Sequence, residues 1–445
     1  MRAMEAKPRL FSLLMERRFL PYFGVQFFGA FNDNVFKIGI IFFLTFGLAE
    51  SLPDESRLTW ITAASGVFIL PFLLFSAFAG QFADKYRKVR AVRVLKFTEL
   101  AIMLVGAAGL FWSNLGLMFG CLFLMGAQSA FFGPLKYSLL PETLDKGELL
   151  LGNGWVQAGT FGAILLGTLA GGILYELDGG GLVLGGVMLL VALAGILAAL
   201  AMPDVLEARA PGLRLRWNPA LAMWSAMREA MGLRGLRLAI LGVAWFWFMG
   251  SAVLAQFTII AKDYLGGTPV VSTILLALMT LGIAISSPLC SVLMRGRVRF
   301  VSVLGGGIGL AVFLGLAGMS LHSIGIYSGD EMRGLNEILA DRESAFAFLW
   351  IAALALSSGF FTVPLYTFIQ GGTVAESRAR VVGASNFFNA LFMVLAQAYF
   401  IIGYNFGATL PVLFLGMAVG QLLVAVVLFS FRPKAAMIGE ASGSA

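Results

Sequence analysis

Twelve apolar runs, each long enough to cross a bilayer, divide this sequence and leave little room for any other architecture. A hydrocarbon core of about 30 Å needs about 20 apolar residues per helix. The runs fall at 19–49, 59–83, 92–112, 115–134, 149–175, 181–201, 237–262, 269–294, 300–326, 345–370, 381–404 and 408–431. They are too long for membrane-spanning strands and do not alternate polar with apolar residues, as a barrel wall requires. Only 12% of the 445 residues are charged and 59% are hydrophobic. A soluble domain carries roughly 25% charged residues, so an all-α integral membrane protein is expected. Cys121 and Cys290 sit inside apolar runs and read as small buried hydrophobes, and a single histidine, His322, cannot build a zinc site. Neither a metal nor a cofactor is expected.

The net charge of +7 does not point to nucleic acid, because the basic residues gather in short loops between the runs. Of 31 Lys and Arg, 26 fall on one side of the membrane, Arg57, Lys262, Arg333 and Arg342 fall on the other, and Lys37 lies within a span. The positive-inside rule then places both termini and the 203–236 connection in the cytoplasm. The basic start leads into a full-length span without an obvious small-residue cleavage site, so no cleavable signal peptide is expected.

The longest basic connection divides the spans into two sets of six. The expected organisation is a six-helix half over 1–202, an inter-half linker over 203–236, a second six-helix half over 237–431 and a cytoplasmic tail over 432–445. Internal similarity agrees. Phe131-Phe132-Gly133-Pro134-Leu135-Lys136-Tyr137 after span four resembles Phe360-Phe361-Thr362-Val363-Pro364-Leu365-Tyr366 in span ten, and Gly29-Ala30 in span one has an aromatic setting like that of Gly250-Ser251 in span seven. Parallel repeats of this kind build the major facilitator transporters, with a substrate site between the halves.

Three ionisable side chains lie well inside the spans: Asp33, Lys37 and Glu99. Each costs about 2.5 to 3.5 kcal/mol at the centre of a membrane helix and should face a cavity or a partner. Asp33 and Lys37 are four apart on one helix face, where they can neutralise each other. The same pair, with Asn32 and Asn34, can instead receive a polar ligand, Asp33 taking an amine and Lys37 a phosphate. A proton-carrying Asp33 is the third reading, disfavoured by the neighbouring Lys37. Glu99 follows Lys96 by three residues, which suggests an intrahelical pair with a snorkelling lysine.

Further polar candidates are Gln128, Gln157 and Gln256 for substrate, with Gln370 at the end of span ten. Asn153/Gln157 and Asn386/Asn389 occupy equivalent places in the two halves, near the cytoplasmic ends, where a gate is as natural as a ligand site. The loop between spans two and three, with Asp84, Lys85, Arg87 and Lys88, resembles the Gly-x-x-x-Asp-Arg/Lys signature of major facilitators and reads as a cytoplasmic latch. Its counterpart, Arg295-Gly296-Arg297-Val298-Arg299, lacks the acid, so a latch would be asymmetric. No phosphate-binding loop is present, and no His-x4-Asp pair follows His322, so neither ATP-driven transport nor an acyltransfer enzyme is expected.

Four stretches together resemble the lysophospholipid transporters of the major facilitator superfamily, most closely the transporter half of bacterial chains that fuse it to an acyltransferase. They are Gln26 to Lys37 (QFFGAFNDNVFK), Gly133 to Glu142 (GPLKYSLLPE), Trp245 to Gly267 (WFWFMGSAVLAQFTIIAKDYLGG), and Phe360 to Met393 with FFTVPLYTFIQ and RARVVGASNFFNALFM. The resemblance implies movement of lysophospholipids such as lysophosphatidylethanolamine from the outer to the inner leaflet of the bacterial cytoplasmic membrane for re-acylation. It also implies a separate acyltransferase as partner, since the chain continues only to the 432–445 tail after span twelve; a monomer is expected. Asn32, Asp33 and Asn34 fall on the family's Asp-Asn motif and Lys136 on its Pro-x-Lys-Tyr-like loop, here with an extra Leu135, as a gating residue. Gln256 and Gln157 stand where the stand-alone transporters carry Arg and Glu. Two other readings remain open: a proton-coupled antiporter or symporter of a small amphiphile or drug using Asp33, and a non-transporting scaffold that docks a lipid-remodelling enzyme through its basic linker.

Overall fold

The structure, a computed structural model, describes residues 10–47, 54–204, 208–232, 234–329 and 331–431. The 432–445 tail and parts of the 203–236 linker lie outside them. Among the described residues there are fourteen α-helices and no strand; only the isolated bridge between Gly267 and Arg333 departs from helix and loop. Twelve of the helices are long and apolar enough to cross a membrane.

The first six are α1 (Leu20–Phe42), α2 (Asp54–Lys85), α3 (Lys88–Phe111), α4 (Leu115–Thr143), α5 (Leu149–Glu176) and α6 (Gly180–Ala201). The linker carries α7 (Pro219–Gly232), an element that hydropathy alone does not reveal. The second set comprises α8 (Arg234–Ile259), α9 (Pro269–Leu293), α10 (Phe300–Ile324), α12 (Arg342–Gly371), α13 (Arg378–Asn405) and α14 (Leu410–Ser430), with the short α11 (Leu335–Ala340) before α12.

Local chemistry sets the ends. Pro21, Pro269 and Pro411 open α1, α9 and α14, where a missing N–H costs nothing. Asn114 caps α4 by accepting from the Leu117 N–H at 3.0 Å, and Asp341 caps α12 by accepting from that of Ser344 at 3.0 Å. The leading helix of each set passes into a π-helical turn, Phe43–Gly47 after α1 and Ile260–Tyr264 after α8, which repeats the internal similarity at the level of backbone. Span four is longer than its hydropathy suggests. It continues through Pro134 and Pro141 to Thr143, so Lys136 is helical and not in a loop.

The two sets form two bundles, α1 with α5 and α6 against α2, α3 and α4, and α10 with α12 and α14 against α8, α9 and α13. They meet chiefly through α5 with α9 and α2 with α13. Gly80 and Gly383 make the second approach tight. A methyl on Gly80 would sit 2.7 Å from the Ala379 carbonyl oxygen, and one on Gly383 would strike that of Ser76. Ala222, Ala226 and Ala230 fasten α7 into the core of the second bundle. The face that holds α7 and the turns around residues 86 and 377 is called the linker face below.

Candidate functional site: the seam between the two halves

Asp33 stands thirteen residues into α1, about 20 Å from the linker face at 1.5 Å per residue. It is half-buried and accepts a hydrogen bond from the Ser129 hydroxyl of α4 at 2.7 Å. No Asp33–Lys37 ion pair forms among the described residues; the Lys37 ammonium lies 5.9 Å over the Phe68 ring of α2. The two asparagines turn elsewhere. Asn32 is fully buried and donates to the Met188 carbonyl of α6 at 3.2 Å, while Asn34 donates to Ala30 on its own helix at 2.8 Å and packs by Gly167 of α5. Successive helical residues point about 100° apart, so the triplet divides among three neighbours and only Asp33 addresses α4.

Gln128 joins a different group. It donates to the Glu99 carboxylate at 3.3 Å, and Glu99 accepts from the Lys96 ammonium at 2.6 Å. The pair expected from the spacing is there, but Lys96 does not snorkel: its side chain is 1% exposed, shut between α1 and α6. Gly29 and Gly195 leave the space for it, since a methyl at Gly29 would sit 2.8 Å from the ammonium. The 3.4 Å contact of Ser129 with Gln128 links this group to Asp33.

Lys136 lies two turns along α4 from Ser129, about 10 Å nearer the linker face. Its half-buried ammonium meets the Thr160 hydroxyl at 3.3 Å and the Tyr137 ring at 4.8 Å, and forms no ion pair among the described residues. Thr160 donates to the Gln26 side-chain oxygen at 3.0 Å, and Gln26 Nε2 is a buried donor without a partner. This unneutralised cation borders an aromatic layer that joins the halves: Tyr137 stacks on Tyr366 at 4.7 Å, Tyr366 accepts from the Trp247 indole at 2.8 Å, and Phe161 stacks on Trp247 at 6.3 Å.

Within and below that layer the seam is closed by side-chain amides. Asn153 and Gln370 exchange hydrogen bonds at 2.8 and 2.9 Å, and Asn153 also donates to Thr367 at 3.2 Å. Gln157 and Thr362 exchange another pair at 2.7 and 3.1 Å, so Gln157 belongs to the closure and not to a ligand pocket. Asn386 packs its amide against Gly133 of α4, and Asn389 stands beside the Tyr366 hydroxyl. Hydrogen bonds between the halves gather at this end. Toward the opposite face none is found beyond Gln157 and Thr362 among the described residues, and α1 and α8 are not closely packed.

Asp84 is fully buried at the linker face. Its carboxylate accepts from the N–H groups of Ala379 and Arg380 at 3.0 and 3.1 Å, at the positive end of α13, and lies 3.5 Å from the Arg380 guanidinium. Arg380 also reaches Glu229 of α7 at 3.1 Å. Lys88, wholly buried, pairs at 2.8 Å with Glu142 at the end of α4, which takes Arg209 of the linker at 3.3 Å. Lys85 rests over Tyr86, and Arg87 precedes α3. Gln256 is remote from all of this, accepting from Tyr404 within the second half at 2.9 Å.

Twelve spanning helices in two six-helix bundles, closed against each other at one end, match a known pattern. The family model described as Major Facilitator Superfamily matches residues 22–397. The chain belongs to the major facilitator superfamily. Among solved structures of that superfamily, the E. coli fucose:proton symporter FucP superposes with a TM-score of 0.68 at 12% identity, over 94% of this chain and 98% of that one, which shows the shared fold. Among characterised sequences, the lysophospholipid transporter LplT of Yersinia enterocolitica is 27% identical over 84% of this chain and 82% of its own length. The LplT of Enterobacter sp. (strain 638) is 27% identical over 91% and 92%. The protein is a multi-pass membrane protein of the transporter class.

Several partners in this major facilitator seam escape a reading of the sequence. Ser129, Thr160 and Thr362 are small hydroxyls with no signal of their own. Arg380 does carry one: a base in the first turn of a helix opposes the helix dipole and calls for an acid from elsewhere, here Asp84. Glu142, in the last turn of α4, is the mirror case and is answered by Lys88.

Proposed function

We propose that this protein carries lysophospholipids, such as lysophosphatidylethanolamine, from the outer to the inner leaflet of the bacterial cytoplasmic membrane, where a separate acyltransferase restores the second chain. In this reading the linker face is cytoplasmic, which the excess of Lys and Arg on that side supports, and the seam is closed on that side and parted toward the other. Similarity to LplT supports the substrate class. The observation that carries the site is Lys136: a cation with only a hydroxyl and a ring for company, beside an unpartnered amide donor, at the foot of the parted seam.

A buried ammonium without a counter-ion is costly and is relieved by an anion. A phosphate bound there accepts from Lys136 and the unpartnered Gln26 Nε2, and the amine of the headgroup lies toward Asp33 and Ser129, two turns up α4. Lys37 sits one turn beyond Asp33 on the way in and supplies an earlier resting place for the phosphate. The aromatic residues lining the seam give the acyl chain a pliable apolar path. Net direction needs no ion coupling if the inner-leaflet product is consumed by acylation.

Proteoliposomes test this. Fluorescent or radiolabelled lysophosphatidylethanolamine should cross without a pH gradient, Lys136→Ala should slow transport about 10-fold or more, and Lys136→Arg should retain part of it, since charge-assisted hydrogen bonds contribute roughly 1.5 to 3 kcal/mol. Strict dependence on a proton gradient would replace the proposal with proton-coupled transport through Asp33, and no transport by well-folded protein would leave a scaffold. Normal rates in both Asp33→Ala and Lys37→Ala at normal expression would remove these two residues from the path.

A further inference from the structure

Outside the seam, the linker presents a surface that the transport path does not use. Helix α7 buries one alanine stripe, Ala222, Ala226 and Ala230, and turns Leu221, Trp224 and Arg228 outward at the matching helical spacing. Trp217 and Trp224 are 76% and 69% exposed. Two large aromatics held out into water are unfavourable, yet at a membrane–water interface they are at home.

Their depth agrees with that location. Trp217 packs on Phe78 of α2 with ring centroids 5.2 Å apart, and Phe78 lies seven residues before the end of α2, about 10 Å inside the linker face. The basic residues Arg214, Arg216 and Arg228 are all exposed around these aromatics. Arg216 and Arg228 form no ion pair among the described residues and line a cavity of about 440 Å³ with Trp224 and Glu229. The one acid of that cavity is already engaged by Arg380, at 3.1 and 3.3 Å. A cavity walled by two unpaired guanidiniums and an indole, at headgroup depth on a membrane protein, has the chemistry of a phosphate with an acyl chain attached.

We infer that the inter-half linker, through Arg216, Arg228, Trp217 and Trp224, is a docking surface for anionic phospholipid headgroups of the leaflet at the linker face. This surface is separate from the seam, and its occupant is a resident membrane lipid, whatever solute the seam carries.

The full-length protein in phosphatidylcholine nanodiscs tests the inference, with brominated-chain phosphatidylglycerol titrated in and tryptophan fluorescence recorded. The linker signal is the part lost in Trp217→Phe/Trp224→Phe. Expected is quenching of that part at a low mole fraction of brominated phosphatidylglycerol, well below that needed with brominated phosphatidylcholine. In Arg216→Gln/Arg228→Gln the half-quenching fraction should rise about 30-fold, roughly fivefold for each guanidinium near an anionic surface. Both arginines are exposed, and an unchanged melting temperature verifies folding. Equal quenching by the two brominated lipids in the unmodified protein would overturn the inference without recourse to a variant and leave the basic surface to a protein partner. A preference for phosphatidylglycerol that survives loss of both arginines would overturn it as well.

Discussion

Replacing Asp84 by alanine should open the linker face. The carboxylate is fully buried, takes two N–H donors from the start of α13 at 3.0 and 3.1 Å, and lies 3.5 Å from Arg380. Removing one member of a buried pair costs about 3 to 5 kcal/mol, because the other is left uncompensated. Arg380 keeps Glu229, so the lower figure applies. Those contacts exist only while α2 and α13 lie together at this end, so the loss, about 3 kcal/mol, falls on closure alone and shifts the closed-to-open ratio by roughly two orders of magnitude. Nitroxides at Arg90 and Val374, both exposed at this face, report the distance across it by electron–electron double resonance, in a background with Cys121 and Cys290 replaced by alanine. The unmodified protein should give a single short distance and Asp84→Ala a dominant longer one, with Asp84→Asn between them. Arg380→Ala should act in the same direction, and the double substitution should add little. Identical distance distributions in the parent and Asp84→Ala would refute the reasoning.

Three further outcomes follow from the same geometry. Lys96→Met alone should cost about 3 to 5 kcal/mol, while Lys96→Met/Glu99→Leu should recover most of it, because the desolvated pair goes as a unit; thermal unfolding in detergent compares the two, and additive losses would contradict it. Gly383→Val, whose side chain meets the Ser76 carbonyl, should part α2 from α13 at a cost of about 1 to 3 kcal/mol and raise thiol labelling of a cysteine placed at Ser76. Asp341 lies outside the membrane, and hydrogen bonds from the Ser344 hydroxyl and N–H hold its carboxyl below the usual range. The stability it lends the start of α12 is therefore complete above its ordinary pKa of 3.8 and is lost as pH falls through the lowered one. Amide exchange at Ser344 should quicken there, and Asp341→Asn should flatten that dependence.

The spans were legible because lipid demands them: a backbone in hydrocarbon must satisfy its own hydrogen bonds, and about 20 apolar residues announce where it does so. Their ends were less so. Pro134 and Pro141 look like stop signals, yet α4 runs through both, and α7 is too short and too mixed in composition to register. At the site, polarity was readable but direction was not. Asn32, Asp33 and Asn34 appear in the sequence as one patch, but helical geometry sends them to α6, α4 and their own helix. Gln157 and Asn153 were legible as one-face pairs; that their partners are Thr362 and Gln370, from the other half, depends on how two bundles dock, and no local pattern encodes that. The lysine at 96 misleads for a similar reason: nearness to a helix end suggests escape to water, while Gly29 and Gly195, distant in sequence, provide the room that keeps it inside.

That enclosure limits how the first bundle is able to move. With an acid and a base of α3 wedged between α1 and α6, and Gln128 of α4 tied to the same carboxylate, sliding α4 past α3 would break that hydrogen bond, and shifting α1 would press its backbone at Gly29 onto the buried pair. Independent bending of α1 is thus opposed at the level of Gly29. In the proposed transport, exposure to one side and then the other would come from tilting of the bundle as one solid piece, hinged on the seam, much as a door swings without its planks shifting.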